Sequence, residues 1–400
     1  MEKKGVGSWM KLGETLQRTQ EKQRPRRGKR AAGGLRGWAL ALLLPLSGAA
    51  VAVARANPQL VERLYSQGLY PVLARAIGGL TSLVPFSVWE GLLVLLAAGG
   101  VALLVCLAVS PWRRRLLSRK FFRVKPLAWV RRGCGLAGVA AFLFVFLCGL
   151  NYYRLPFTAF SGLTVRESSL QELAALYLEL AEEANSLRPL VAEDAQGVMV
   201  LEGAFPQVAG QARQAISVLS ERYAVLPDLP LNPKPVANSW LMSRAQITGQ
   251  FTFTYEANIN ILAPDYTIPA TICHELAHTR GFMREDEANF IAYLACLESQ
   301  VPQVRYSGTM LALVHVDNRL YTADPQLLSQ LSQTLSPGVR RDFADNNAYW
   351  AQFEDQVIAQ VSETVNDAYL KANNQQDGTQ SYGRMVDLLL ADFRQRHGLE

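Results

Sequence analysis

The chain has 400 residues, of which 50% are hydrophobic, and a formal net charge of +6 at pH 7. The charge is unevenly distributed along the chain. Residues 1–36 hold eleven Lys or Arg and three acids, whereas residues 151–400 hold seventeen Lys or Arg and twenty-nine acids. A basic part followed by an acidic part lacks the continuous positive surface of a nucleic-acid-binding protein, so we expect no nucleic-acid partner.

Three uncharged apolar segments precede the acidic part: Gly37–Ala54, Gly91–Val109 and Gly133–Leu150. Each is long enough, as a helix, to cross a hydrocarbon core of about 30 Å. Buried core helices of this length normally keep a polar face, which these segments lack, so we predict three transmembrane helices with the lipid bilayer as partner. The first segment has an alternative as a signal sequence, but its long basic leader favours a retained anchor.

The cations around these segments predict their orientation. Five Lys or Arg lie in residues 24–30, and nine lie in residues 110–133 between the second and third segments. Cytoplasmic loops are enriched in Lys and Arg, so both regions should be cytoplasmic. We therefore predict a multi-pass protein of the cell membrane with three parts. They are a basic cytoplasmic tail (1–36), a three-span anchor with a short outer loop and a basic inner loop (37–150), and an extracytoplasmic domain (151–400).

The domain after residue 150 is predicted to be mainly helical with a minor strand component. Ser168 or Ser169 can cap a helix with Glu172 in its first turn. The stretch "GQFTFTYEANINILAP" (249–264) alternates apolar and polar residues, which predicts a strand. Pro269 suits the first turn of the next helix. Further helices are predicted at 207–226, 288–300, 308–320, 324–335, 348–369 and 384–396, with a polar loop at 373–383.

The five cysteines do not form a disulfide framework. Three of them, Cys106, Cys134 and Cys148, fall within the apolar segments. Cys273 and Cys296 remain, and they are either bridged in an oxidising compartment or, as we prefer, small apolar core residues.

His274-Glu275-Leu276-Ala277-His278 forms the pattern HExxH and contains two of the four histidines of the chain. Residues i and i+4 share one face of a helix, so both imidazoles can reach one ion, and Glu275 can approach a water beside it. Imidazole nitrogens and strong acidification of a bound water are typical of zinc sites. We therefore predict one Zn²⁺ per chain, against the alternative of two surface histidines on an ordinary helix.

A third ligand is expected from the acidic start of the next helix. Glu285 and Asn289 lie one turn apart, so Glu285 can bind the metal while the Asn289 amide orients a ligand histidine. Glu287 points roughly 160–200° away and would be the ligand only if the helix were rotated, so we prefer Glu285. Gly281 allows the chain to turn back toward the two histidines.

These motifs resemble the zincin superfamily of metallopeptidases, in its gluzincin branch with a glutamate third ligand. The gluzincin motif ExxxD appears here as ExxxN, from Glu285 to Asn289, and "EDEANFIA" is also similar to the acidic motif of ImmA/IrrE-type HExxH peptidases. Over most of its length the chain resembles a bacterial membrane-anchored family that carries only a domain-of-unknown-function label. That likeness is carried by the three apolar segments, "PKPVANSWLMSRAQITGQFTFTYEANIN", "IPATICHELAHTRGF" and "DEANFIAYLAC".

Together with the three transmembrane helices predicted above, the zincin resemblance implies a fold of three N-terminal transmembrane helices plus a mainly helical α+β zincin-like extracytoplasmic domain. It implies a zinc metalloendopeptidase in which His274, His278 and Glu285 hold zinc. Glu275 then takes a proton from the attacking water and returns it to the leaving amine of a peptide or protein substrate. Zincins also use a residue that stabilises the oxyanion; the candidates are His315, Tyr293, Tyr382 and Arg384, although His315 fits a core histidine better.

Two other functions remain open at this point. One is a zinc-binding membrane protein without hydrolytic activity, acting as a sensor or an envelope assembly factor. The other is a structural membrane protein without a metal.

Overall fold

The computed structural model describes residues 38–109, 126–354, 356–373 and 384–399. The predicted basic tail, most of the basic inner loop and nearly all of the polar loop at 373–383 therefore lie outside the described residues. The described part is mostly helical, and its strands are confined to three short ones. The prediction of a mainly helical protein with a minor strand component is confirmed.

Three helices are long and apolar enough to cross a membrane, over Ala39–Ala56, Val88–Cys106 and Val130–Leu147. They comprise α1 (Leu43–Ala56, after a 3-10 turn at Ala39–Leu42), α2 (Val88–Val109) and α3 (Pro126–Leu147). Their leucines are largely exposed, for example Leu96 at 74% and Leu136 at 74%. Exposed apolar surface of this extent is typical of a lipid contact, so the three predicted apolar helices are confirmed and support membrane association.

The chain divides into two compact units, residues 1–49 with 115–143 and residues 50–114 with 144–400. In the described part of the first unit, the Gly138 backbone lies against Leu40 so closely that a Cβ there would clash with the Leu40 carbonyl. The second unit combines residues between the first two apolar helices with the whole chain after residue 150.

Residues 58–81 lie in the predicted outer loop that links α1 to α2, and they are helical. They consist of α-helical turns at Pro58–Leu60, Tyr70–Leu73 and Gly79–Thr81 and π-helical stretches at Val61–Leu69 and Ala74–Gly78. This 58–81 segment packs into the second unit through polar side chains. Glu62 forms a buried two-point ion pair with Arg154 (2.6 and 3.0 Å), and the Ser66 hydroxyl donates to Asn151 Oδ1 (2.8 Å).

Two helices follow the third apolar helix, after short turns at Gly149–Tyr153 and Thr158–Ser161. Helix α4 (Leu170–Leu187) begins with the predicted capping box: Glu172 N donates to Ser169 Oγ (3.2 Å), and Ser169 N donates to Glu172 Oε2 (2.8 Å). This arrangement satisfies two backbone N–H groups at the start of the helix. Helix α5 spans Phe205–Arg222.

The sheet contains β1 (Lys234–Pro235), β2 (Gly249–Phe251) and β3 (Ala257–Ile259) in the order β1-β3-β2. Strand β1 is parallel to β3, and β2 is antiparallel to β3 with Gln250 opposite Asn258. The prediction of a single strand over 249–264 is wrong, because the chain reverses at residues 252–256, where Tyr255 has a positive φ of 57°. The alternating pattern belongs to both arms of a hairpin. A short helix, α6 (Ser239–Arg244), lies between β1 and β2.

The remaining helices are α7 (Ile268–Thr279), α8 (Glu285–Leu297), α9 (Pro302–Ala323), α10 (Pro325–Leu331), α11 (Pro337–Ala351), α12 (Val357–Ala372) and α13 (Met385–His397). Helix α7 packs against α5, α8, α9 and strands β2 and β3, which places it at the centre of the core. The helix predicted at 348–369 is interrupted between α11 and α12. The helix predicted at 324–335 continues after α10 as a 3-10 turn at Ser332–Thr334.

Asp342 on α11 is a fully buried charge with several hydrogen-bond partners in this core. Its carboxylate, 0% exposed, accepts hydrogen bonds from Arg188 Nε (2.7 Å), the Tyr306 hydroxyl (2.5 Å) and Met199 N (2.8 Å). A buried carboxylate is tolerated when a cation and further donors satisfy it, so this cluster fixes α11 against α9 and the turn after α4.

Candidate metal centre

Helix α7 presents the HExxH residues from a helix that is otherwise packed in the core. Cys273, Leu276 and Ala277 are fully buried. This packing fixes the rotation of the helix. His274 and His278, one turn apart, lie on the face that is not covered by this packing. The two imidazole rings lie 4.6 Å apart between centroids and are nearly perpendicular, at 87°.

A tight turn after α7 brings the acidic helix back to these rings. Gly281 adopts a φ of 86°, and its N–H donates to the His278 carbonyl (2.9 Å). Helix α8 then begins at Glu285, whose Oε2 lies 3.2 Å from His274 Nε2 and whose Oε1 lies 3.7 Å from His278 Nε2. One ligand atom from each of the three residues lies within 4.8 Å of the others, so together they could hold a metal ion.

The structure places Glu285, and not Glu287, opposite the two imidazoles. Glu287 faces away: its Oε1 accepts from Phe157 N (2.7 Å), and its two oxygens pair with Arg284 (2.7 and 3.0 Å). These contacts set the rotation of α8. Glu287 therefore ties α8 to the chain that follows α3, while Glu285 is left free to face the histidines.

The ring of His278 is oriented by a backbone carbonyl. Its Nδ1 lies 2.7 Å from the Phe282 oxygen, which can only accept, so Nδ1 carries a hydrogen and Nε2 is directed at Glu285. The His274 Nδ1 atom is buried and has no hydrogen-bond partner among the described residues. Asn289 lines the open cleft beside these two rings. No hydrogen bond joins its amide to either ring in the described part of the chain. Its predicted role in orienting a ligand stays a prediction.

Glu275 lies between the histidines and strand β2. Its side chain is buried, at 3% exposure, and a Cβ on Gly249 of β2 would lie 2.5 Å from Glu275 Oε1. Only glycine at position 249 permits this approach. The Oε2 atom has no hydrogen-bond partner among the described residues. Burial raises the pKa of Glu275, although the neighbouring imidazoles and a hydrogen bond from the Phe251 backbone act against this rise.

The three predicted ligands also perturb one another electrostatically. Burial alone would lower the pKa of His278, but the Glu285 carboxylate, with smaller contributions from Glu275 and the Phe282 carbonyl, raises the pKa to about 9. Burial alone would raise the pKa of Glu285, and the two imidazoles instead hold it well below its usual range. A carboxylate this strongly ionised, beside two nitrogen donors, has the charge expected of a cation ligand.

The arrangement fits zinc by donor type and spacing. Tetrahedral zinc with bonds of about 2.1 Å separates its ligand atoms by about 3.4 Å, close to the 3.2 and 3.7 Å between the Glu285 oxygens and the two Nε2 atoms. Two imidazoles and one carboxylate leave a fourth position open. His274, Glu275, His278 and Glu285 all line a cleft of about 940 Å³, which would give a substrate access to a metal held there.

Two tyrosines that the sequence did not single out line this cleft as well. The Tyr152 hydroxyl donates to the Tyr369 hydroxyl (2.8 Å). Burial raises the pKa of both phenols, and the negative charge of Glu285 contributes to both rises. Both groups therefore keep their protons, and the Tyr369 proton remains available for a bound molecule. Tyr152 directly follows the third apolar segment, a position typical of interfacial aromatic residues, and this position gave no indication of a site.

The four residues considered as oxyanion donors are dispersed. Tyr382 lies outside the described residues. Arg384 pairs with Asp286 (3.4 Å), and Tyr293, buried in α8, is not among the described residues that line the cleft. His315 is half-buried on α9, where burial and then the charge of His274 lower its pKa to about 4.

Cys273 and Cys296 pack side by side behind the centre. Both are free and fully buried, and their sulfur atoms lie 3.8 Å apart. They occupy the core positions that we preferred for them.

Comparison with known proteins identifies the family of this chain. No curated protein and no solved structure gives a significant match to it. A family model described as "Protein of unknown function (DUF3810)" matches residues 65–390, which include the 58–81 segment from residue 65 onward, α2, α3 and the whole candidate centre. The chain therefore belongs to this DUF3810 family of unknown function.

Proposed function

We propose that this protein is a membrane-anchored zinc metallopeptidase of the gluzincin type, with its zincin-like domain outside the cytoplasm. The observation that carries the proposal is the convergence of His274 Nε2, His278 Nε2 and the Glu285 carboxylate beside a buried glutamate at the wall of an open cleft. A purely structural cluster would not need a carboxylate oxygen of Glu275 that is buried with no hydrogen-bond partner in the described part of the chain.

His274, His278 and Glu285 would hold the zinc ion. When bound, zinc supplies a Lewis acid that polarises a carbonyl and makes a neighbouring water more acidic. Glu275 takes a proton from the attacking water as the new C–O bond forms. It then delivers this proton to the amide nitrogen as the C–N bond breaks, which gives a carboxylic acid and an amine. A raised pKa suits Glu275 to both steps near neutral pH.

Strand β2 provides a surface on which a peptide can lie. It is an outer strand of the sheet, and Gly249 at its start contacts Glu275. An extended peptide can add to such an edge through backbone hydrogen bonds, which position its carbonyl groups beside the catalytic residues without requiring a particular side chain. The Tyr369 hydroxyl, which lines the same cleft, can donate to the oxygen that becomes negative during attack.

The test is Glu275→Gln in the full-length chain, in detergent and in cells. We expect both proteins to retain about one zinc per chain, because Glu275 is not a ligand. Hydrolysis by the variant should fall by about 100- to 10,000-fold, the range for loss of a general base. The matched control is Glu221→Gln, which changes an exposed glutamate on α5.

The two readouts are metal content and a comparison of cleaved peptides in cells with each protein. If the wild type and Glu275→Gln both bind zinc and give identical cleavage patterns, the peptidase function is rejected. A zinc-binding sensor or assembly factor is then favoured. A wild-type protein that does not bind zinc would reject both.

A further inference from the structure

We propose that the cleft takes its substrate from the membrane surface, as an extended peptide held in the bilayer by an apolar anchor. This inference rests on the proposed peptidase function and names the substrate class for it. Four features of the second unit lead to it.

The first feature is that residues of the apolar helices form part of the cleft wall. Trp89 at the start of α2 and Phe144 near the end of α3 line the same cleft as His274 and Glu285. Phe253, from the turn between β2 and β3, lies between them, with its ring 6.2 Å from Trp89 and 6.3 Å from Phe144. One end of the cleft therefore lies beside the start of α2 and the end of α3, a position called the membrane level below.

The second feature is that this level is fixed relative to the centre. The Glu256 carboxylate accepts hydrogen bonds from Val88 N and Trp89 N (both 3.0 Å). These N–H groups stand at the start of α2, where the helix itself offers no acceptor. The adjacent Tyr255 hydroxyl donates to the carbonyl of Leu147, the last residue of α3 (2.6 Å). The β2–β3 turn thus holds the ends of two apolar helices beside the strand that contacts Glu275.

The third feature is a set of exposed apolar residues around the start of α2. Trp240 is 53% exposed and Leu262 is 52% exposed. Trp240 is held at this level because Glu90 of α2 accepts hydrogen bonds from Asn238, the residue that precedes α6 (2.7 and 2.8 Å). Leu262 lies beside α6 because the preceding residue, Ile261, donates its N–H to Ser239 Oγ (3.1 Å). An exposed tryptophan with aliphatic neighbours at the ends of membrane helices is typical of the membrane–water interface. The other members of this set are Leu241, Phe253 and Ile261.

The fourth feature is the short path from the membrane level to the centre. From Phe253, which contacts the apolar helices, to Gly249, which contacts Glu275, is four residues along the chain. An extended chain covers at most about 13 Å in that number of residues. A peptide lying along β2 would therefore be cut about four to six residues from its anchored end.

The experiment uses the full-length protein in vesicles of phosphatidylethanolamine and phosphatidylglycerol. The probes are three degenerate twelve-residue peptide mixtures: one palmitoylated at its N-terminus, one acetylated, and one palmitoylated through a twenty-residue Gly-Ser spacer. The spacer mixture is concentrated on the vesicle to the same degree but places its peptides away from the surface. Cleavage rates and positions are read by mass spectrometry, with Glu275→Gln as the background.

We expect the directly palmitoylated mixture to be cut at least fivefold faster than the spacer mixture, about four to six residues from the acyl chain. Equal rates for the two palmitoylated mixtures, or cuts spread evenly along the peptides, would overturn the inference and leave the peptidase function intact.

A second measurement does not require turnover. A benzoylphenylalanine photoprobe replaces Phe253 in the Glu275→Gln protein, and the control probe replaces Tyr321, an exposed aromatic residue on α9. Crosslinking of the directly palmitoylated peptides at position 253 and not at 321 supports entry from the membrane, even if hydrolysis proves absent. Equal crosslinking at both positions, or none at 253, would overturn it.

Discussion

Zinc affinity should rise steeply with pH up to about pH 9, because His278 must lose a proton before it can bind the ion. Burial alone would lower the pKa of this ring, but the Glu285 carboxylate, 3.7 Å from His278 Nε2, raises the pKa to about 9 when no metal is bound, with smaller contributions from Glu275 and the Phe282 carbonyl. Protons and zinc compete for the same nitrogen. Each pH unit below 9 should therefore weaken zinc binding about tenfold.

The size of the change in zinc affinity with pH distinguishes a His278 with a raised pKa from a histidine with an ordinary pKa. With a pKa of about 9, the unprotonated fraction of His278 rises about 25-fold between about pH 7 and 8.5. A histidine with an unperturbed pKa of about 6.5 would gain less than about 1.5-fold over the same interval. The expected ratio of affinities at these two pH values is therefore about 25.

The assay is a competition titration of zinc against a chelator with the full-length protein in detergent. Calorimetry in two buffers with different ionisation enthalpies counts the protons released. Glu285→Gln is the informative variant, because it removes both a ligand and the charge that raises the pKa of His278. Its affinity should be lower and its pH dependence flatter. An equal wild-type affinity at both pH values, with no proton released at pH 7, would refute the reasoning.

Three further predictions concern stability and turnover. Asp342→Ala should lower the free energy of unfolding by about 3–5 kcal/mol, since it removes the buried carboxylate of the Arg188 guanidinium and leaves it only the exposed Glu193 carboxylate at 3.3 Å; an unchanged denaturation midpoint would contradict this. Gly249→Ala should lower kcat by about 100-fold with zinc content unchanged, because the new Cβ displaces Glu275; metal analysis beside kinetics checks both halves. Tyr369→Phe should lower kcat by about 100-fold with little change in KM, and an unaltered kcat would remove this hydroxyl from the reaction.

The features that the sequence predicted well depend on residues a few positions apart. The capping box of α4 joins Ser169 to Glu172, and the shared direction of His274 and His278 follows from one helical turn. The apolar helices were predictable for a similar reason, because composition within a single segment decides whether it can lie in lipid.

The features that the sequence did not predict depend on distant partners. The sequence favoured Glu285 over Glu287 as the third ligand, but it did not reveal the contact that fixes the rotation of α8, in which Glu287 accepts from Phe157 N, 130 residues away. The reversal at Tyr255 requires a positive φ that the alternating pattern does not reveal. The helical 58–81 segment is held partly by Tyr70, whose hydroxyl donates to the carbonyl of His278, 208 residues later.

The pairing of Glu62 with Arg154 limits how the protein can be shortened. A fragment that starts at residue 151 retains the Arg154 guanidinium but discards its counterion, and it also discards the Tyr70 hydroxyl that supports the second histidine. A buried charge without its counterion costs about 3–5 kcal/mol. This is a large share of the free energy of unfolding of most domains, which is about 5–15 kcal/mol. A detergent-free version should therefore keep residues 57–87, with hydrophilic linkers in place of the apolar helices.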